Sequence, residues 1–467
     1  MPKLSTCFAS VILASLLVPT IMADGPIDIG NRLELFVDQH LVETTTGAAE
    51  FKMHRPVPQE VVLTTDKPWE GNTSAYYTIF QDGDRYRMYY RASHYDTEKK
   101  KATHPEFTCY AESKDGIHWI KPELGLFEFA GSKKNNIVWS GLGTHCFAPF
   151  KDTNPDCIPS EQYKALSRGS MNGKSGLFAF KSPDGIHWSL MTNEPVITKG
   201  AFDSQNLAFW DSHTKQYREY HRFFANGVRD IMTGGTTDFL KWPEPTPLTY
   251  PDAPSEHLYT NAVLPYPRAP HILLGFPTRY LPKQGSRVEP VLMASRDRQT
   301  FHRWPNALIP EDAPKDRKGN RSNYMTWGLL QLPGNDKQLS VYATEAYYTG
   351  PDSRVRRFTF RVDGFASASA PATGGTVLTK PLTFQGNQLV LNFTTAKAGT
   401  LRIEIQDDQG KPVPGFELNN CESIQGDSIE QTVAWKNGPD LSKLANRPIR
   451  LHIELTDADL YSFQFQQ

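Results

Sequence analysis

Three carboxylates in this 467-residue chain stand where acid–base chemistry would need them. Glu70 lies in WEGNTS, Asp203 in FDSQN and Glu256 in EHLYTN, and each precedes an alternating apolar run. Cleaving a glycosidic bond takes two carboxyl groups, one acting as acid and the other as base or nucleophile, and a third often tunes or orients. The roles expected here are Glu256 as general acid, Asp203 as base or nucleophile and Glu70 as third member. A second set is cationic. Arg91, Arg168, Arg222 and Arg279 end the segments YYRA, LSRG, YHRF and PTRY, with Glu345 near the same phase in a fifth segment. Guanidinium forks suit carboxylate and sulfate groups. The arginines therefore read either as braces for neighbouring loops or as a cationic funnel for an anionic ligand. Asn72, His145, Asn206, His257, Tyr259, Asn261, Arg321 and Asn323, in the same short segments as the carboxylates or at matching positions, complete the candidate binding set.

What must position these residues is a repeat. SKDGIHW (Ser113–Trp119) returns as SPDGIHW (Ser182–Trp188), and weaker copies place turn aspartates at Asp238, Asp297 and Asp363 after Asp115 and Asp184. Each tag follows an alternating hairpin and a third strand, and introduces a fourth. Five such units of about 60 residues predict an all-β chain with a five-bladed β-propeller over residues 31–365. In a blade the first strand lines the channel and the second returns antiparallel. Residues entering strand one and leaving strand two thus converge on one funnel, and these are the two sets above. Arg32–Glu43 reads as a strand that helps close the ring or packs on its edge. ASASAPATGG (Ala366–Gly375) reads as a linker, and residues 371–467, which alternate but carry no tag, as a β-sandwich.

Composition agrees with a folded, strand-rich chain: 39% hydrophobic, 22% charged and 12% aromatic residues, with 35 Pro and 33 Gly to make turns. A net charge of -1 gives no general electrostatic case for nucleic acid or an acidic membrane surface. Lys3, the apolar run Val11–Val18 and Ala23 read as a signal peptide over residues 1–23, which places the mature chain in the periplasm or outside the cell. No later segment has the run of about 18 apolar residues that a membrane span needs. Export leaves Cys109, Cys146, Cys157 and Cys421, whose four thiols allow three pairings. A local Cys146–Cys157 bridge and isolated thiols both fit. No spacing resembles a zinc site and no cofactor is expected, while a structural calcium ion and the oligomeric state stay open.

With a propeller followed by a sandwich, the repeated DGIHW turns and FDSQNLAFWD, the chain resembles glycoside hydrolase family 32. Its propeller alone resembles family 43 and its relatives. The DGIHW turns and FDSQNLAFWD also resemble exported, planctomycete-type family-32-like proteins. The resemblance implies an exported enzyme that hydrolyses a poly- or oligosaccharide through three funnel carboxylates. Blade one opens with Trp69-Glu70-Gly71-Asn72 where family 32 has Asn-Asp-Pro, so fructan or sucrose specificity is not carried over, and the arginines favour a uronic or sulfated glycan. Two further readings follow: a carbohydrate-binding propeller without catalysis, and a polysaccharide lyase using Tyr259, His257 or His145 as base.

Overall fold

The computed structural model describes residues 25–310 and 324–467. Residues 1–23, read above as a signal peptide, and Arg321 and Asn323 lie outside the described residues. Five antiparallel sheets are arranged as the blades of a propeller. Blade one comprises Ala75–Asp82, Arg85–Ala92, Phe107–Ser113 and Trp119–Ile120. Blade two comprises Ala148–Lys151, Tyr163–Met171, Lys174–Ser182 and Ser189–Leu190, and blade three Leu207–Asp211, Gln216–Ala225, Val228–Thr236 and Thr246–Pro247. The second hairpins of blades two and three turn on Asn172-Gly173 and Asn226-Gly227, all four at positive φ. This is the two-residue turn whose twist matches that of the flanking strands. In blade four the second strand is split into Ala269–Gly275 and Thr278–Leu281 around Pro277, which has no N–H to give a ladder, and both halves pair with Arg287–Ser295.

The ring closes with a strand that carries no tag. Val57–Thr64 pairs antiparallel with Arg354–Arg361 and supplies the outer strand of blade five. Arg32–Glu43, expected to close the ring or pack on its edge, instead lies between the propeller and the C-terminal part. Leu33, Leu35 and Val37 pack in the propeller core, whereas Phe36, Leu41 and Val42 pack in the C-terminal core. Around the short strand Glu34–Leu35, Leu35 and Phe36 point to opposite sides, which lets one segment serve both cores. Ile27–Gly30 and Glu50–Met53 also pair with C-terminal strands, so the chain from 27 to 53 belongs to that sheet rather than to a blade.

The C-terminal part is one ten-stranded sheet built on two long strands, Gln388–Asp407 and Ile449–Gln466. They pair along their length, with an irregularity between Thr395 and Thr400. ASASA is not a linker. Ala366–Ala370 is a buried strand between Glu50–Met53 and Ile449–Gln466, where only small side chains meet the neighbouring layer. Asp363, read as the fifth turn aspartate, is wholly buried at the junction. It accepts hydrogen bonds from Tyr266, Arg268, Asn392 and Ser462 and so joins blades four and five to the C-terminal sheet.

The tags themselves lock adjacent blades. In each, the aspartate accepts the backbone N–H groups of the isoleucine and histidine and the imidazole, the glycine N–H goes to the tag serine, and the tryptophan returns its indole N–H to the glycine carbonyl. That carbonyl also receives a tyrosine hydroxyl from the preceding blade: Tyr342 to Gly116 at 2.7 Å and Tyr89 to Gly185 at 2.8 Å. Tyr220 makes the equivalent bond to the Arg298 carbonyl of blade four at 2.9 Å. Cys109, Cys146, Cys157 and Cys421 are all free thiols, which resolves the cysteines in favour of isolated thiols. At the hairpin end of the channel, away from the strand-one entries, the first strands of all five blades border an apolar cavity of about 560 Å³.

Candidate functional site

At the strand-one entries of the funnel the structure assembles a chain of charged groups around His145. Gly143, left-handed at φ 94, starts the single turn of 3-10 helix Thr144–Cys146 that presents the imidazole. Its Nδ1 lies 2.8 Å from Glu106 and its Nε2 2.6 Å from Asp203. Arg168 donates to Asp203 at 3.0 Å, and Arg222 stands 3.8 Å from its other oxygen. Arg91 lies 3.7 Å from Glu106 and donates to the Thr73 carbonyl and the Tyr347 hydroxyl, both at 2.8 Å. Tyr76 covers Arg91 with its ring at 4.8 Å and sits beside His145. A β-bulge between Ala75 and Thr78 and a left-handed Tyr76 (φ 58) turn that ring into the funnel. Bulges and strained residues re-aim side chains in this way at functional sites.

The electrostatics follow from this packing. Burial opposes protonation of His145, but hydrogen bonds to Asp203, Cys146 and Glu106 outweigh it and raise its pKa from 6.5 to about 11. The hydrogen bond from His145, against some burial and with help from Arg168 and Arg222, holds Asp203 far below the usual carboxylate range. Burial works against ionisation of Glu106, yet His145 and Arg91 lower its pKa. At neutral pH the group is therefore an imidazolium between two carboxylates, with both ring nitrogens donating. The Asp203 side chain is 55% exposed, so its carboxylate faces the open funnel.

The other two expected acids differ. Glu70 has a side chain with no exposure. It accepts from the Tyr90 hydroxyl at 2.5 Å and Lys121 at 2.6 Å, and so ties the entry loop to blade one. The reason is local: a polar residue in an entry loop can turn inward when a buried Tyr and Lys wait for it. Glu256 is held by Arg303 at 3.1 Å and Arg279 at 3.5 Å, and none of these groups touches Asp203. Arg279 also donates to the Pro305 carbonyl and so acts as a brace. The pair brought together is thus Asp203 and Glu106, bridged by His145, rather than Asp203 and Glu256.

Of the expected binding residues, Arg91, His145, Arg168, Arg222 and Tyr259 meet in the funnel. Asn72 is consumed by Tyr95 and Gly350 and Asn261 by Gln205, Tyr220 and Val263, while Asn206 gives its amide N–H groups to the Phe202 and Ser204 carbonyls and keeps its Oδ1 buried without a donor, so these three shape loops. His257 accepts the backbone N–H of Arg229. Tyr259 packs against Tyr324, and Tyr324 against Tyr347, giving the funnel an aromatic wall. Glu106, Arg229, Tyr76 and Tyr347 were not among the residues singled out in the sequence. Glu106 and Arg229 open third strands, and a third strand begins where the second ends. The same phase argument, carried one strand further, reaches both. No cluster of three or more His, Cys, Asp or Glu placed to hold a metal ion occurs among the described residues, and no helix there is long and apolar enough to cross a membrane.

The fold is thus that of a five-bladed propeller joined to a C-terminal β-sheet part. No family model matches the chain, and no curated protein matches it. Solved structures similar to it include a thermostable family-43 glycoside hydrolase, at 13% identity and a TM-score of 0.46, covering 66% of this chain and 95% of that one. Another is the family 43 arabinoxylan arabinofuranohydrolase from Bacillus subtilis in complex with cellotetraose, at 11% identity and a TM-score of 0.42, covering 88% and 99%. A third is the β-1,2-mannobiose phosphorylase from Listeria innocua, at 12% identity and a TM-score of 0.44, covering 67% and 97%.

Proposed function

We propose that the chain is a glycosidase that hydrolyses an acidic poly- or oligosaccharide in the propeller funnel, with Asp203 as the reacting carboxylate. One observation carries the reading: a half-exposed carboxylate at the mouth of the channel, kept ionised by an imidazolium and two arginines. An ionised carboxylate open to the funnel and held far below the usual range suits a nucleophile or a stabiliser of the oxocarbenium-like transition state more than a general base. His145 is a positioning residue, since it fixes Asp203 and Glu106 on either side of one ring. Tyr259, which is half-buried, offers aromatic surface to a sugar ring. Arg91, Arg168 and Arg222 concentrate positive charge in a chain of net charge -1, which supports an acidic substrate. The N-terminal Lys3, Val11–Val18 and Ala23 support action outside the cytoplasm.

The test is a panel of neutral, uronic and sulfated polysaccharides, assayed for new reducing ends. Wild type should hydrolyse at least one acidic member. Asp203→Asn should lose about 10²–10⁴-fold in turnover, while Glu256→Gln should keep most of it. Full turnover by Asp203→Asn would remove Asp203 from the chemistry. An ultraviolet-absorbing unsaturated product would make the protein a lyase, and binding with no product across the panel would make it a binding module.

A further inference from the structure

One cation of the funnel wall lacks what its counterparts have. Basic side chains open the third strands of blades two to five: Lys174, Arg229, Arg287 and Arg354. Lys174 pairs with Glu194 at 2.7 Å, Arg287 with Glu289 at 3.0 Å and Arg354 with Glu345 at 3.0 Å. Arg229 alone of the four has no carboxylate partner among the described residues, while its Nε, like that of Arg287, is buried without a hydrogen-bond acceptor.

Its surroundings are aromatic instead. The guanidinium lies 5.2 Å from the ring centre of Tyr259, 5.3 Å from Tyr280 and 5.4 Å from Phe224. The Asn226-Gly227 hairpin sets this up. Phe224 stands directly opposite Arg229 in the ladder, and Arg222 is two residues earlier on the same face. Arg222 also lies over Tyr259, at 5.3 Å, and reaches Asp203 on its other side. Aromatic faces attract a guanidinium without neutralising it, and they leave its N–H edge free for a planar anion. Phe224, 47% exposed, extends the wall outward as an apolar platform.

We propose that Arg229 is the specificity-determining residue of the funnel: it binds the acidic group, a uronate carboxylate or a sulfate ester, of the sugar next to the one at Asp203. The inference rests on reading the funnel as a carbohydrate site. Arg222 stands between the two positions, so one acidic chain would lie across Asp203, Arg222 and Arg229 in sequence. The shared chemistry is an oxyanion on a sugar, and the probes below separate its two sources.

Binding of D-glucuronate, D-glucose 6-sulfate and D-glucose to the full chain, measured by ligand-observed NMR titration, tests this. At least one acidic probe should bind wild type about tenfold more tightly than D-glucose, a difference worth about 1.4 kcal/mol. Whichever acid binds identifies carboxylate or sulfate as the group. Arg229→Met, which keeps the stem among the three rings, should abolish that preference and leave D-glucose binding unchanged. Arg229→Lys should keep part of the preference, since a point charge replaces a fork, and this guards against a loss of folding in the methionine variant. Equal binding of the three probes to wild type overturns the proposal, as does a preference that survives in Arg229→Met. The two readings fail separately. Hydrolysis of a neutral glycan with no acidic preference would leave the glycosidase and remove this site. Arg229-dependent binding with no hydrolysis of any glycan would leave this site and remove the glycosidase.

Discussion

The molecule makes the same aspartate–histidine contact in two kinds of place. In the tags, His118 meets Asp115 at 2.6 Å and His187 meets Asp184 at 2.7 Å; in the funnel, His145 meets Asp203 at 2.6 Å. Distance does not tell them apart. What differs is the rest of the shell. The tag imidazoles are 85% and 65% exposed, and each aspartate spends its other bonds on the backbone of its own turn. The funnel imidazole is caught between two carboxylates from different strands, and those carboxylates are in turn held by arginines from blades one, two and three. A local pair closes a turn. A pair assembled from distant parts of the chain positions charge where a ligand can reach it.

The largest expected effect breaks the funnel pair. His145→Gln should lower turnover on a cleaved glycan by about 10²–10⁴-fold, whereas His187→Gln in the tag should leave it unchanged. A structural role alone would not move the pH profile. With the imidazolium gone, the acid limb set by Asp203 should rise toward the ordinary aspartate value of 3.8. An unmoved limb would mean that His145 does not control Asp203. Next comes the core of a tag. Trp188 is 8% exposed, stands edge-on to Phe147 at 4.9 Å and donates to Gly185. Trp188→Ala should cost about 3–5 kcal/mol in denaturant unfolding, with wild-type turnover per folded molecule. Smaller again is Tyr89→Phe, which removes one interblade hydrogen bond and should cost about 1 kcal/mol. A loss near zero there would show that the shared carbonyl is satisfied by Trp188 alone.

How much of this was legible depends on range. The tags, hairpins and blade order were legible because an Asp-Gly turn between alternating runs is a local signal. Ring closure by Val57–Thr64 was not, since that strand meets its partner about 300 residues later and carries no tag. Asp363 kept the letters of a tag, but the fourth strand of blade five comes from the N-terminal side. The chain leaving strand three was therefore free to enter the C-terminal sheet, and the aspartate became a junction. In the site, phase led to Asp203, His145, Arg91, Arg168 and Arg222, which the structure brings together. It gives a position along a strand but not the direction of a side chain in the loop before it, which is why Glu70 was misread. Glu106 and Arg229 were missed because third-strand entries were left out of the phase count.

The smallest effect sharpens the comparison most directly, because it reads the two kinds of histidine in one experiment. Hydrogen bonding and charge from Asp115 raise the pKa of fully exposed His118 above 6.5, and solvent and salt screen that pair. The contribution of His145 to stability is complete below pH 6.5, declines as pH rises above it and is lost once pH has passed about 11. That of Asp203 is complete above 3.8 and is lost on acidification below it. The funnel pair thus persists from about pH 4 to about pH 11, across the whole range in which His118 changes charge. In NMR titrations, with signals assigned by His118→Gln and His145→Gln difference spectra, His118 should titrate somewhat above 6.5 and move back toward it in high salt. His145 should show no titration between pH 5 and pH 9 at either salt concentration. A His145 midpoint near 6.5 would mean that the two carboxylates do not hold it as an imidazolium, and the funnel pair would then be no different from a turn.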